Sequence, residues 1–100
     1  MVYFMHAEGT PFVKIGMTSD INERLHQFQI SNPHKLKVIL VVDCEDTSKL
    51  YLESRKVEKE LHDVFEDYRH RGEWFYLSKD MRSWINTYLV LDGQEEISWE

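Results

Sequence analysis

Two strand-forming runs joined by a tight turn open the chain, and they limit what it can fold into more than any later feature. Residues 2–6 are apolar and rich in β-formers, and they lead into Glu8-Gly9-Thr10-Pro11. Residues 12–16, Phe12-Val13-Lys14-Ile15-Gly16, form a second run of the same kind. So short a connection implies an antiparallel hairpin. Asp20 then reads as a helix N-cap with Glu23 as its capping-box partner. Ile21, Leu25 and Phe28 recur at helical spacing, and Ser31-Asn32-Pro33 stops the helix. Residues 36–43 are a third strand, whose near-continuous apolar run predicts a central position buried on both faces.

Asp46-Thr47-Ser48 offers caps for the longest helix, roughly residues 48–68, with Leu50, Val57, Leu61, Val64, Phe65 and Tyr68 as its stripe. Gly72 breaks it, and Trp74-Phe75-Tyr76 is a short extended piece. Ser78 caps a last helix that carries Met81, Trp84, Ile85, Tyr88 and Leu89 on one face. The order is β-β-α-β-α-(β)-α, an α/β chain of the α+β type. Residues 1–91 read as a single domain and 92–100 as an acidic tail holding Asp92, Glu95, Glu96 and Glu100.

At 100 residues, 42% of them apolar, the chain suits one core and no large enclosed pocket. It contains no run long enough for a membrane span, and its first residues lack the basic flank of a signal peptide. Cys44 is the single cysteine, so no internal disulfide can form, which suits a reducing cytoplasm. The net charge of −6 speaks against broad, nonspecific neutralisation of nucleic-acid phosphates.

Four side chains could carry chemistry. Tyr3 points away from Val2 and Phe4, and the hairpin can set Lys14 on its face. Arg24 borders the buried stripe of the first helix, either snorkelling outward or reaching over the sheet as an anion clamp. Glu58 borders the stripe of the long helix, with His62 one turn on; such a pair can share a metal or simply face water. His6, His26, His34, His62 and His70 show no ligand spacing, and the sequence has no P-loop, CxxC or GxSxG. Trp74 and Phe75 fit core closure or base stacking, while Arg69, His70, Arg71 and Lys79 are either a basic patch or a solvated charge run.

Taken in order, these residues resemble the GIY-YIG nuclease superfamily. Val2-Tyr3 stands at its first motif and Val13-Lys14-Ile15-Gly16 at its second, followed by Arg24 and Glu58. The chain is closest to a phage-type and fungal branch named after a meiotically up-regulated gene. That similarity rests on Val13 to Thr18, Arg24-Leu25, Asn32-Pro33, Glu58 to His62 with Phe65, and Arg69 to Phe75. The resemblance implies a small, mainly antiparallel three-stranded sheet flanked by helices. It implies a metal-dependent DNA endonuclease in which Glu58 holds one Mg²⁺ or Mn²⁺. Arg24 would steady a nonbridging oxygen, and Tyr3 would position or deprotonate the attacking water with help from Lys14. Lys14 replaces the tyrosine common in the second motif, and the later asparagine of the family is missing; His34 or His62 could supply a polar group instead. DNA is then the expected partner, joined by a protein partner or a second copy, in the cytoplasm and off the membrane. The alternative is a GIY-YIG-fold regulatory module that binds nucleic acid or protein and cuts little or nothing. A further alternative has the last helix dock a partner through Trp84 and Tyr88.

Overall fold

The hairpin forms as the turn requires. β1 (Val2–Ala7) pairs antiparallel with β2 (Phe12–Met17), setting Tyr3 opposite Gly16 and Met5 opposite Lys14. The structure is a computed structural model that describes residues 1–43 and 50–99, with side chains described from residue 54 onward in the second stretch. After β2 come α1 (Ile21–Ile30), β3 (Leu36–Val42) and α2 (Leu50–Val64). A 3-10 turn (Glu66–Tyr68), β4 (Arg69–Arg71), β5 (Trp74–Tyr76) and α3 (Lys79–Leu91) complete the fold. The strands make one sheet in the order β3-β1-β2-β5-β4, antiparallel throughout. Five strands, not three, therefore carry the α+β architecture.

The two faces of β1 build two cores. Val2 and Phe4 face the larger one, which holds Val13, Ile15, Leu61, Phe65 and Phe75 together with Met81, Ile85 and Leu89 of α3. Tyr3, Met5 and Ala7 face the smaller one, where Ile21, Leu25 and Phe28 of α1 pack with Leu36. The strand buried on both sides is thus β1, and β3 lies at the sheet edge. A bulge explains why β3 still reads as continuously apolar. Met5 pairs with Val38 and Phe4 with Leu40, so Ile39 is the extra residue. Inserting one residue into a period-two strand turns the following side chains to the other face. Leu36 and Val38 accordingly join the α1 core, while Leu40 and Val42 join the core under α2 and α3.

Local signals elsewhere behave as the sequence implies. Asp20 accepts from the Glu23 N–H at 3.1 Å, and Ser78 accepts from the Met81 N–H at 3.2 Å, capping α1 and α3. The cap candidates Asp46, Thr47 and Ser48 lie outside the described residues, as does the side chain of Leu50. α2 ends at Val64, earlier than residue 68, because the chain tightens into the 3-10 turn and then enters β4. Val64 consequently leaves the expected stripe and is 63% exposed. Arg69 holds this corner, donating to Glu66 and to the Gly72 carbonyl. Gly72 makes the β4–β5 turn at φ +58°, where a side chain would be strained.

Trp84 stacks on Phe4 and on Tyr88, and both residues pack against the larger core. Both side chains are half-buried by that packing. Residues after α3 fold back: the Asn86 amide donates to the Ile97 carbonyl and accepts from its N–H, and Ile97 and Trp99 pack on the core. Among the described residues, no helix is long and apolar enough to cross a membrane.

Phe4 is fully buried between Phe65 and Trp84. Phe4→Ala should therefore cost about 3–5 kcal/mol in chemical denaturation. Val64→Ala should stay within about 0.5 kcal/mol, as a surface substitution does; a large loss there would restore Val64 to the buried stripe.

Candidate functional site

The β4–β5 hairpin stops short of the end of β2. Trp74 pairs with Lys14, so Ile15 is the first β2 residue beyond β5. Its backbone finds other partners. The Ile15 N–H donates to the Glu73 carbonyl at 2.9 Å, and its carbonyl accepts from His62 Nε2 at 2.9 Å. One residue thereby ties the β4–β5 turn and α2 to the same stretch of strand. A carbonyl only accepts, so His62 Nε2 carries the hydrogen and the neutral ring keeps its lone pair on Nδ1. Glu58 lies one turn earlier on α2. Glu58, His62 and Glu73 each offer a ligand atom, all within 4.8 Å of one another.

These three groups are compatible with a divalent cation. Ligand bonds of about 2.1 Å put neighbouring ligands about 3 Å apart and opposite ligands about 4 Å apart. A spread of up to 4.8 Å needs only a small closing of side chains that are all half-buried. The histidine also has the backbone hydrogen bond that commonly orients a metal ligand.

The other expected residues gather beside this group. Lys14 Nζ lies 3.4 Å from Glu73 Oε1 and 4.4 Å from the centre of the Phe28 ring. The Arg24 guanidinium lies 5.8 Å from the same ring, so Phe28 is a shared floor for both cations. Tyr3 is fully buried, and its ring lies against Gly16: a Cβ built on that glycine would sit 2.5 Å from the Tyr3 hydroxyl. This close approach explains the glycine that ends the second motif. Among the described residues the hydroxyl makes no well-formed hydrogen bond. Arg24 acts on it electrostatically without completing a well-formed hydrogen bond.

Burial sets the protonation of the site. Desolvation above all, with Glu73 and Glu58 adding to it and Arg24 opposing, pushes the Tyr3 phenol up to about 12. At neutral pH Tyr3 is therefore a phenol that donates. Its opposing cation is Arg24, whereas Lys14 is engaged with Glu73. Glu58 is raised above the usual carboxylate range, first by burial and then by Glu73, while His62 and Lys14 pull it down. The site is thus an acidic pair ringed by cations.

Tyr3, Lys14, Arg24 and Glu58 share one electrostatic environment, and His62 joins them. His34 does not; it lines a separate groove with Asn32 and Trp74. Glu73 escapes sequence reasoning. Its one sequence signal is an acid just after the Gly72 turn, in the region where the resemblance places an asparagine. Phe75 is fully buried in the larger core, and Trp74 packs half-buried against the smaller one while lining the groove.

A family model described as the T5orf172 domain matches residues 1–88. Comparison with curated proteins and with solved structures gives no match.

Two substitutions test the site by stability alone. Tyr3→Phe deletes a buried hydroxyl that makes no well-formed hydrogen bond, so it should leave the protein as stable or up to about 2 kcal/mol more stable. A clear loss would mean that the hydroxyl is paired. For Glu58, a folded pKa above the unfolded value means that folding favours the protonated form. The favourable contribution is complete below the ordinary carboxylate range and is lost as pH rises through the raised folded pKa. Glu58→Gln should therefore melt higher than the wild type at neutral pH, with the gap closing near about pH 4.

Proposed function

The chain belongs to the T5orf172 domain family, which is associated with endonuclease-like domains, and on that premise we propose that it is a divalent-metal-dependent DNA endonuclease hydrolysing phosphodiester bonds at the Tyr3, Lys14, Arg24 and Glu58 cluster. The observation that carries this reading is the convergence of Glu58, His62 and Glu73 beside a buried tyrosine hydroxyl that makes no well-formed hydrogen bond. Buried polar groups are nearly always paired, and an orphan among titratable residues is a sign of a missing ligand.

Glu58 is the ligand expected from the resemblance, and His62 and Glu73 complete its donor set. When bound, the cation polarises the phosphate and stabilises the leaving oxygen. Arg24 holds a nonbridging oxygen as charge builds on it. Tyr3, neutral at working pH, orients the attacking water through its hydroxyl. Lys14 neutralises Glu73 in the free protein and would be released to face the phosphate if a cation bound that carboxylate. An imidazole in the donor set favours Mn²⁺ over Mg²⁺, because magnesium prefers oxygen ligands and retains water.

One observation favours the alternative, a module that binds without cutting. The Tyr3 hydroxyl is closed off from solvent, so cleavage requires the site to open when DNA arrives. The acidic net charge of −6 points the same way, toward a partner protein or a second copy that strengthens DNA binding.

Plasmid and single-stranded DNA incubated with the purified protein separate the two readings. The wild type should nick in Mn²⁺ faster than in Mg²⁺. Glu58→Ala and Tyr3→Phe should abolish nicking, and Arg24→Ala should slow it about 100- to 1,000-fold. Nicking that survives both Glu58→Ala and Tyr3→Phe would remove these residues from the chemistry. Intact DNA with the wild type on every substrate would leave the binding module.

A further inference from the structure

A groove of about 360 Å³ lies next to the site, on the α1 face of the sheet. Trp74 lines it and is the residue after Glu73, and Lys14 Nζ lies 5.7 Å from the centre of the Trp74 ring. Phe12 and His70, also in the lining, stack on each other with ring centres 4.6 Å apart. Arg71, Asn32 and His34 complete its polar lining with Thr10. From these observations we propose that the groove binds one unpaired nucleotide of the substrate strand, adjacent to the phosphate at the metal site, with its base stacked on Trp74. This rests on the nuclease reading above and gives that site a preference for single-stranded or branched DNA.

Charge complementarity selects this occupant. The chain carries 18 acidic residues against 12 lysines and arginines, yet none of the eight residues lining the groove is acidic. Arg71 is exposed and makes none of the ion pairs found among the described residues, which leaves its guanidinium open to a phosphate. Aromatic faces flanked by cationic groups are what a base and its phosphate require. The volume sits near the lower end of small-molecule pockets, enough for one nucleotide and too small for a duplex.

The groove is also held in shape. Gln29 donates to the Asn32 and His34 carbonyls and accepts from the Leu36 N–H, which fixes the loop presenting Asn32 and His34. Thr10 binds the Ala7 carbonyl and steadies the hairpin turn at the groove floor. Binding to a shaped groove loses less to ordering than binding to a mobile one.

Fluorescence anisotropy of a labelled oligothymidylate, in chelator so that nothing is cut, tests the inference. The wild type should bind it more tightly than a blunt duplex, and more tightly than the same strand carrying abasic sites. Trp74→Ala should weaken oligothymidylate binding roughly 5- to 150-fold and should barely affect the abasic strand. Trp74→Phe keeps an aromatic face and should retain most of the affinity, which covers the case in which Trp74→Ala does not fold. Arg71→Ala should weaken both strands. Equal affinity for the abasic strand, or wild-type affinity in a folded Trp74→Ala and Arg71→Ala, overturns the subsite. Duplex cleavage that persists in that case keeps the nuclease reading. Base-dependent binding by a protein that cuts nothing would remove the nuclease reading and retain the subsite.

Discussion

The backbone of Ile15 carries the arrangement on which the site depends. β5 begins at Trp74, and the Ile15 N–H takes the Glu73 carbonyl in continued register, while the Ile15 carbonyl turns to the His62 ring. Burying either group unpaired would cost about 1–3 kcal/mol, so the fold gains by bringing both partners in. The same two hydrogen bonds deliver Glu73 and His62 to one place, with Glu58 one helical turn away. A backbone requirement in the sheet thus joins side chains of α2 to the β4–β5 turn.

The assembly stores unfavourable electrostatics. Two carboxylates approach each other in a half-buried setting, and a phenol is buried without a well-formed hydrogen bond. Lys14 and Arg24 offset part of this while resting on the Phe28 ring. Such groups weaken the folded state slightly. The neighbouring groove is different in character: it is apolar and aromatic, rimmed by basic and neutral groups, and needs no ligand to be stable.

Features governed by neighbouring residues were legible in the sequence. The β1–β2 hairpin, the Asp20 and Ser78 caps and the inward faces of α1 and α3 all follow from local spacing. What was not legible depends on pairing. The apolar run of β3 looks like a doubly buried central strand, but a bulge at Ile39 divides it between two cores at the sheet edge. The end of α2 was placed too late because no proline or glycine marks residues 65–68, and the 3-10 turn there is set by packing and by Arg69. Tyr3, Lys14, Arg24 and Glu58 were found because their spacing resembles a known pattern. Glu73 was not, since its position follows from where β5 begins and no spacing rule encodes that. The help that the resemblance assigns to Lys14 depends on packing too: burial dominates the Tyr3 pKa, and the cation that opposes burial is Arg24.

Whether Glu58, His62 and Glu73 form one cation site beside Tyr3 can be read from anomalous diffraction of crystals grown with Mn²⁺. The predicted result is an anomalous peak bonded to Glu58, His62 Nδ1 and Glu73, with Lys14 displaced from Glu73 and the His62 Nε2 hydrogen bond to Ile15 retained. A peak held by other residues, or an intact Lys14–Glu73 pair with no peak at saturating Mn²⁺, would contradict it.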